Sequence, residues 1–343
     1  MASQVPAASA SSRRRILAVL GAAVADAAAM PVHWVYDVAR VEQVASEHNK
    51  GDFAFIPQDA SGTYHAGVPA YFAHSTLKTG DTTYYTELGL VLARSLIEKG
   101  DLDVEDFQTK VLATFGPGGA YTGYMPSVLK AFIAKMTAEG GPAKVGPLSG
   151  TTEHGDSTIL GTLVVLAARF AGSAELDAKT EAVVRTLVNT DDAVVVSLAL
   201  VRSLAAAIAG TDLGSAISEG LSSATASSEA ITLATGAVED AKSASGELAA
   251  ISKKYTPACD LKMSVPLALF AVSSTVPPHF ATAVRTNVAL SGDNCGRAPI
   301  VGALAAAGSD PGDSVDWLAW AGKLGNVEEV TRLANALALA AEA

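Results

Sequence analysis

Four polar turns in this chain place acids, amides, hydroxyls and aromatic rings at the starts of apolar segments, where catalysis or ligand binding is easiest to build. The first to consider is Gly292-Asp293-Asn294-Cys295, which closes a small-residue turn and opens into the charge-free run 298–308. Backbone N–H groups at a helix mouth are unpaired and lie at the positive end of the helix dipole. Asp293 is therefore either a helix cap, or a carboxylate that holds a metal ion or water facing an anionic ligand. Asp26 interrupts the apolar segment 16–30, and a carboxylate in such surroundings is costly unless it is paired. It reads as a functional group or as a bridge between helices. His33 follows Pro31 and sits beside Trp34, as a structural histidine or as a base.

The other turns are more ambiguous. Thr79-Gly80-Asp81-Thr82-Thr83-Tyr84-Tyr85-Thr86-Glu87 has the composition of a capping box, or of an oxygen-ligand site for a hard cation. The glycine-rich stretch around Gly119, Tyr121, Gly123 and Tyr124 is suited to cradling a phosphate or stacking a base, but it lacks the Lys and Ser/Thr of a P-loop. Glu153-His154-Gly155-Asp156-Ser157 offers an acid/base pair or one more cap. Asn189-Thr190-Asp191-Asp192 reads as an N-cap. No G-x-S-x-G elbow follows a strand, so serine-hydrolase chemistry has no support.

The elements that must position these groups are helices. Apolar residues recur at helical spacing over 16–30, 38–44, 86–98, 104–114, 127–138, 157–170, 174–188, 193–208, 213–221, 265–272, 279–288, 299–307, 314–321 and 327–340. No strand alternation is apparent. Residues 49–80 carry Gly51, Pro57, Gly62, Gly67, Pro69 and Gly80 among scattered aromatics, and such a long aperiodic segment reads as a flap over a site. Residues 227–252 are polar and Ala-rich, and predict an exposed peripheral helix broken at Gly236 and Gly246. With no fixed repeat and no composition break, the expected architecture is all-α: a single compact multi-helix domain over 13–343, behind a disordered tail over 1–12.

Of 343 residues, 49% are hydrophobic and 17% charged, with 24 Lys plus Arg against 35 Asp plus Glu and a formal net charge of -11. That balance argues against nucleic acid or an anionic membrane as partner. Cys259 and Cys295 fit neither a disulfide framework nor a C-x-x-C metal site, which favours a reducing, cytoplasmic setting. Arg13-Arg14-Arg15 and the apolar run after it imitate a leader sequence, and an organellar transit peptide is the alternative. No run is long and uninterrupted enough to read as a membrane span.

Taken in order, the segments 21–34, 80–96, 119–124, 153–165, Val265-Pro266 and 292–307 resemble the conserved stretches of the ADP-ribosylglycohydrolase superfamily. The resemblance runs from about Ile16 onward and is closest to the branch of selenoprotein J and the jellyfish J-type crystallins, whose last motif is likewise G-D-N-C. It implies an all-α fold and, in active members, a pair of Mg²⁺ ions that assist cleavage of ADP-ribosyl bonds. Carried over residue by residue, Asp293 matches the first acid of the last metal motif, whose second acid and following Thr fall on Cys295 and Gly296. The family's Asp-Asp-Thr falls on Tyr84-Tyr85-Thr86, its acid after the first helix on His33, and its Asn-Gly loop on His154-Gly155, while Asp26 is retained. Asp293 and Thr86, with Asp81 just upstream, are too few oxygen ligands for a standard two-metal Mg²⁺ centre.

The expected function is that of an ADP-ribosylglycohydrolase-like hydrolase. Asp293, Asp26 and His33 would be its catalytic groups; Gly119, Tyr121, Gly123, Tyr124, His154, Gly155 and Asp156 would face ADP-ribose or an ADP-ribosylated protein. The alternative is a noncatalytic, crystallin-like or regulatory protein with a degraded metal site. On the first reading Asp293 matters more for function than for stability.

Overall fold

Two helices built largely of alanine and glycine cross at the centre of the molecule. They belong to a computed structural model that describes residues 9–153, 155–224, 226–243, 247–274, 279–309 and 315–342. Its helices begin with α1 (Ala10–Ala29), α2 (Val38–Asn49), α3 (Tyr84–Lys99), α4 (Val104–Phe115), α5 (Ser127–Ala138) and the single turn α6 (Pro142–Val145). Next come α7 (Leu160–Phe170), α8 (Leu176–Leu187), α9 (Asp191–Ala209), α10 (Leu213–Ser222), α11 (Glu229–Ser243) and α12 (Leu248–Tyr255). The last are α13 (Leu261–Ser273), α14 (Phe280–Ala289), α15 (Asn294–Ser309), α16 (Val315–Ala321) and α17 (Val327–Ala340). Among the described residues β-structure is confined to isolated bridges, Val35 with Ala70, Thr151 with Val188 and Asp156 with Asp260.

The central crossing pairs α1 with α15. A Cβ on Gly21 would lie 2.5 Å from the carbonyl oxygen of Gly302, and one on Gly302 would lie 2.1 Å from that of Gly21. Only glycine lets the two backbones approach so closely. A second such contact joins α3 to α7, where a Cβ on Gly161 would meet the Tyr85 carbonyl oxygen at 2.0 Å. The first turn of α3 is thereby pressed against the short 3₁₀ turn Ser157–Ile159 that leads into α7.

Several boundaries differ from the sequence reading. Ser9 caps α1, accepting from the Ser12 amide, so residues 10–12 are helical rather than part of a tail; residues 1–8 lie outside the described set. α1 is a core helix: Arg15, 7% exposed, donates to the carbonyls of Ala168 at 2.7 Å and Ala171 at 2.6 Å. Residues Ala10–Val32 and Asp191–Ala209 are long and apolar enough to cross a membrane, yet both are packed into the helical core. α11 runs unbroken through Gly236 and buries Ala230, Ala234 and Ala237 against α13. The expected exposed helix is therefore half core, because alanine suits a polar face and a close helix contact equally well; the break expected at Gly246 lies outside the described residues. The N-cap expected before α9 is present, with Thr190 accepting from the Ala193 amide.

Candidate functional site

Asp293 immediately precedes α15 and is fully buried. Its Oδ1 accepts from His33 Nε2 at 2.9 Å, Trp34 Nε1 at 3.1 Å and the Tyr85 hydroxyl at 2.7 Å, while Oδ2 accepts from the Ser157 hydroxyl at 2.7 Å. All four bonds come from outside α15, so the side chain links separate segments instead of capping its own helix. Burial alone would raise this carboxyl, but hydrogen bonds from His33, Ser157 and Tyr85 outweigh that cost and hold it below the ordinary carboxylate value of 3.8. Asp293 is thus an ionised hub joining the end of α1, the start of α3, the 3₁₀ turn before α7, and α15.

The backbone around the hub is correspondingly strained. Trp34 and Ser291 have positive φ, 62° and 64°, a region that non-glycine residues enter at a cost. Reciprocal hydrogen bonds from Trp34 N to the Gly292 carbonyl at 2.8 Å and from Gly292 N to the Val35 carbonyl at 2.7 Å hold this conformation. Gly292, itself at φ 62°, has the Pro257 carbonyl oxygen 2.1 Å from where a Cβ would stand.

Beyond Asp293 the chain of contacts continues into the loop between α2 and α3, which contacts His33 through His65 and His74. His33 Nδ1 lies 2.7 Å from His74 Nε2, and His65 Nε2 donates to the His33 carbonyl at 2.9 Å. With Asp293 ionised, His33 Nε2 carries the proton that it donates, while the donor and acceptor roles between His33 Nδ1 and His74 Nε2 depend on the tautomer. His74 Nδ1 is buried without a hydrogen-bond partner. Burial, with His33 and His65 close by, lowers the His74 pKa well below 6.5.

Asp26 has a different role. Its Oδ2 accepts from the Thr83 amide at 2.8 Å and its Oδ1 from the Thr83 hydroxyl at 2.9 Å. Thr83 is the N-cap of α3, so Asp26 ties the middle of α1 to the start of α3, and burial pushes its carboxyl above 3.8. Thr86, 5% exposed, belongs to the Asp26 side of the site. Asp81 accepts from the Lys78 amide at 2.8 Å and helps line a cavity of about 260 Å³ with Thr82, Glu87, Tyr121, Gly123 and Asn326. Gly119 packs on the Thr114 carbonyl, where a Cβ would be 2.3 Å from the oxygen.

The remaining expected ligand residues divide. Tyr124 stands with Trp34 and Tyr71 in an aromatic group, at centroid distances of 5.1 and 5.7 Å respectively. Asp156 caps the 3₁₀ turn through the Thr158 amide at 2.9 Å, and burial raises its carboxyl. Gly155 packs on Leu261; His154 lies outside the described residues. The structure therefore gathers Asp293 and His33 at one hub, Asp81, Tyr121 and Gly123 around one cavity, and Asp26 at a helix junction. Sequence reading missed Trp34, Tyr85, Ser157 and His74 as partners of the hub. It also missed Arg297, fully buried, which donates to Asn287 Oδ1 at 3.0 Å and to the Ser291 carbonyl at 2.8 Å and supplies a positive charge near Asp293.

This donor set does not fit two divalent cations. Both Asp293 oxygens are already taken by protein donors, and the positions that would bring further acids hold Tyr84, Tyr85 and Cys295, each fully buried. Among the described residues no three His, Cys, Asp or Glu side chains are grouped so as to hold a metal ion.

Comparison with known proteins gives a consistent fold. The family model described as ADP-ribosylglycohydrolase matches residues 8–343. Over 182 residues the chain is 27% identical to crystallin J1A and 26% identical to crystallin J1B, both from Tripedalia cystophora. Each match covers 52% of this chain and 52% of the relative, so the chain spans about half the length of the curated relatives it matches. A solved chain described as an ADP-ribosylglycohydrolase-related protein complex superposes with a TM-score of 0.63 at 20% identity, covering 96% of this chain and 99% of that one. At that identity the likeness is one of fold.

Proposed function

Because the chain belongs to the ADP-ribosylglycohydrolase family, we propose that it is a member which keeps the scaffold without the family's metal-dependent hydrolysis, a crystallin-like or regulatory protein. One observation carries this reading: the Asp293 carboxylate is satisfied by His33, Trp34, Tyr85 and Ser157. A hard cation would have to displace several of these donors and would find tyrosines where it needs carboxylates. The network instead does a structural job, joining through hydrogen bonds the segments that a metal would have joined by coordination. The relatives named as crystallins support the same reading.

The experiment is an assay of ADP-ribose release from an ADP-ribosylated protein, with and without excess Mg²⁺, paired with thermal melts in Mg²⁺ and in ADP-ribose. We expect no magnesium-dependent release and no magnesium-dependent rise in Tm; magnesium-dependent release would overturn the proposal. Family membership also suggests ADP-ribose or an ADP-ribosylated protein as the ligand class. Against it stands Asp81 in the cavity beside Tyr121, since a carboxylate repels phosphates. Binding would appear as stabilisation of roughly 2.7 kcal/mol at about 100 times Kd.

A further inference from the structure

Trp34, Tyr71 and Tyr124 meet in a corner open to solvent. Their ring centroids are 5.6 Å apart for Trp34 and Tyr71, 5.1 Å for Trp34 and Tyr124, and 5.7 Å for Tyr71 and Tyr124. The three planes are inclined to one another by 59°, 87° and 66°. Tyr71 is 55% exposed, while Trp34 is 8% exposed and forms the floor.

The corner is built in, not a chance cluster of surface rings. Tyr71 N donates to the Trp34 carbonyl at 3.0 Å and Tyr36 N to the Pro69 carbonyl at 2.9 Å, on either side of the Val35–Ala70 bridge, which locks two of the rings into one backbone frame. Trp34 is held at positive φ to reach this place. Its indole N–H points away from solvent onto the ionised Asp293, which enriches the ring face in electron density. The group already attracts one cation, the Lys130 ammonium, 4.9 Å from the centroid of Tyr124.

We propose that this corner is a binding site for a small molecule carrying a trimethylammonium group, held by cation–π contact with Trp34, Tyr71 and Tyr124. Such a group is bulky, apolar at its surface and positively charged, so aromatic faces inclined to one another suit it, whereas a hydrated primary ammonium would keep its water. The protein's net charge of -11 favours its approach.

The test titrates the full chain with choline and with its neutral isostere 3,3-dimethylbutan-1-ol, following ligand methyl resonances by NMR. Choline methyls should move upfield under the ring currents, with binding at least about tenfold tighter than for the isostere. Removing one ring through Tyr71→Leu, at an exposed position with Tm checked in parallel, should weaken choline binding about five- to thirtyfold, while Tyr71→Phe keeps it. Equal affinity for the two ligands, absence of choline binding, or unchanged binding in Tyr71→Leu would each overturn the proposal.

Discussion

Asp293 shows how a residue can be legible in type and misread in role. Its place before an apolar helix marks it as special, and as a cap or ion ligand Asp293→Asn would leave stability almost untouched. The structure reverses that expectation, because Asn substitutes an N–H₂ donor for one of two oxygens that together accept four hydrogen bonds. Asp293→Asn should therefore cost about 1–3 kcal/mol, and Asp293→Ala about 3–5 kcal/mol by stranding buried donors. Melts that leave Tm unmoved in both variants would remove the hub. His74 makes a prediction at the same scale. It is held neutral in the fold with a pKa well below 6.5, whereas the unfolded chain takes up a proton near 6.5. Its stabilising contribution is thus complete above about pH 6.5 and declines as pH falls below it, down to the depressed folded pKa. His65 shifts in the same direction, and Asp293, depressed below 3.8, loses its contribution only in stronger acid. Tm should drop between about pH 6.5 and 5, with a shallower drop in His74→Gln; equal slopes in the two proteins would refute the assignment. Neither Ser157 as a partner of Asp293 nor His74 as a partner of His33 could be picked from sequence, since they lie 136 and 41 positions away and only tertiary packing unites them.

At the scale of elements, the helices were readable because each needs only a local apolar stripe, and α5 and α17 have the expected limits of 127–138 and 327–340. Which faces meet was less readable, because alanine and glycine carry little directional signal, as the buried side of α11 illustrates. The contacts give a sharp test. Gly→Ala within a helix ordinarily stabilises by about 0.5–1 kcal/mol, and Gly236→Ala should do so, since its Cβ would meet nothing nearer than the Tyr255 hydroxyl at 3.4 Å. Gly161→Ala and Gly302→Ala should have the opposite sign, losing about 1–3 kcal/mol or more. There the new methyl falls 2.0 and 2.1 Å from a backbone oxygen that cannot rotate away. Thermal melts of the three variants should separate by sign, and a stabilised Gly302→Ala would mean that α1 and α15 do not cross so closely. Gly161 is the more informative of the pair, because displacing α3 from α7 also draws Tyr85 away from Asp293.

For the whole molecule, the all-α architecture followed from uniform helical periodicity and the lack of alternation, while the site followed only in part. Asp26 and His33 stand out as polar groups in apolar surroundings; the substitution of metal ligands by Tyr84, Tyr85 and Cys295 is visible as residue types, but the network that replaces them is not. The pairing of α1 with α15 has one more consequence, which concerns time. α1 leaves the ribosome long before α15, its main partner, which begins at Asn294. At about 5–20 residues per second, synthesis of the intervening chain takes roughly 15–60 s. For that interval the alanine- and glycine-rich face of α1 that packs on α15 has no native partner. Its shelter during translation must come from provisional contacts or from a chaperone, and the hub at Asp293 can close only after Asp293 itself has been synthesised.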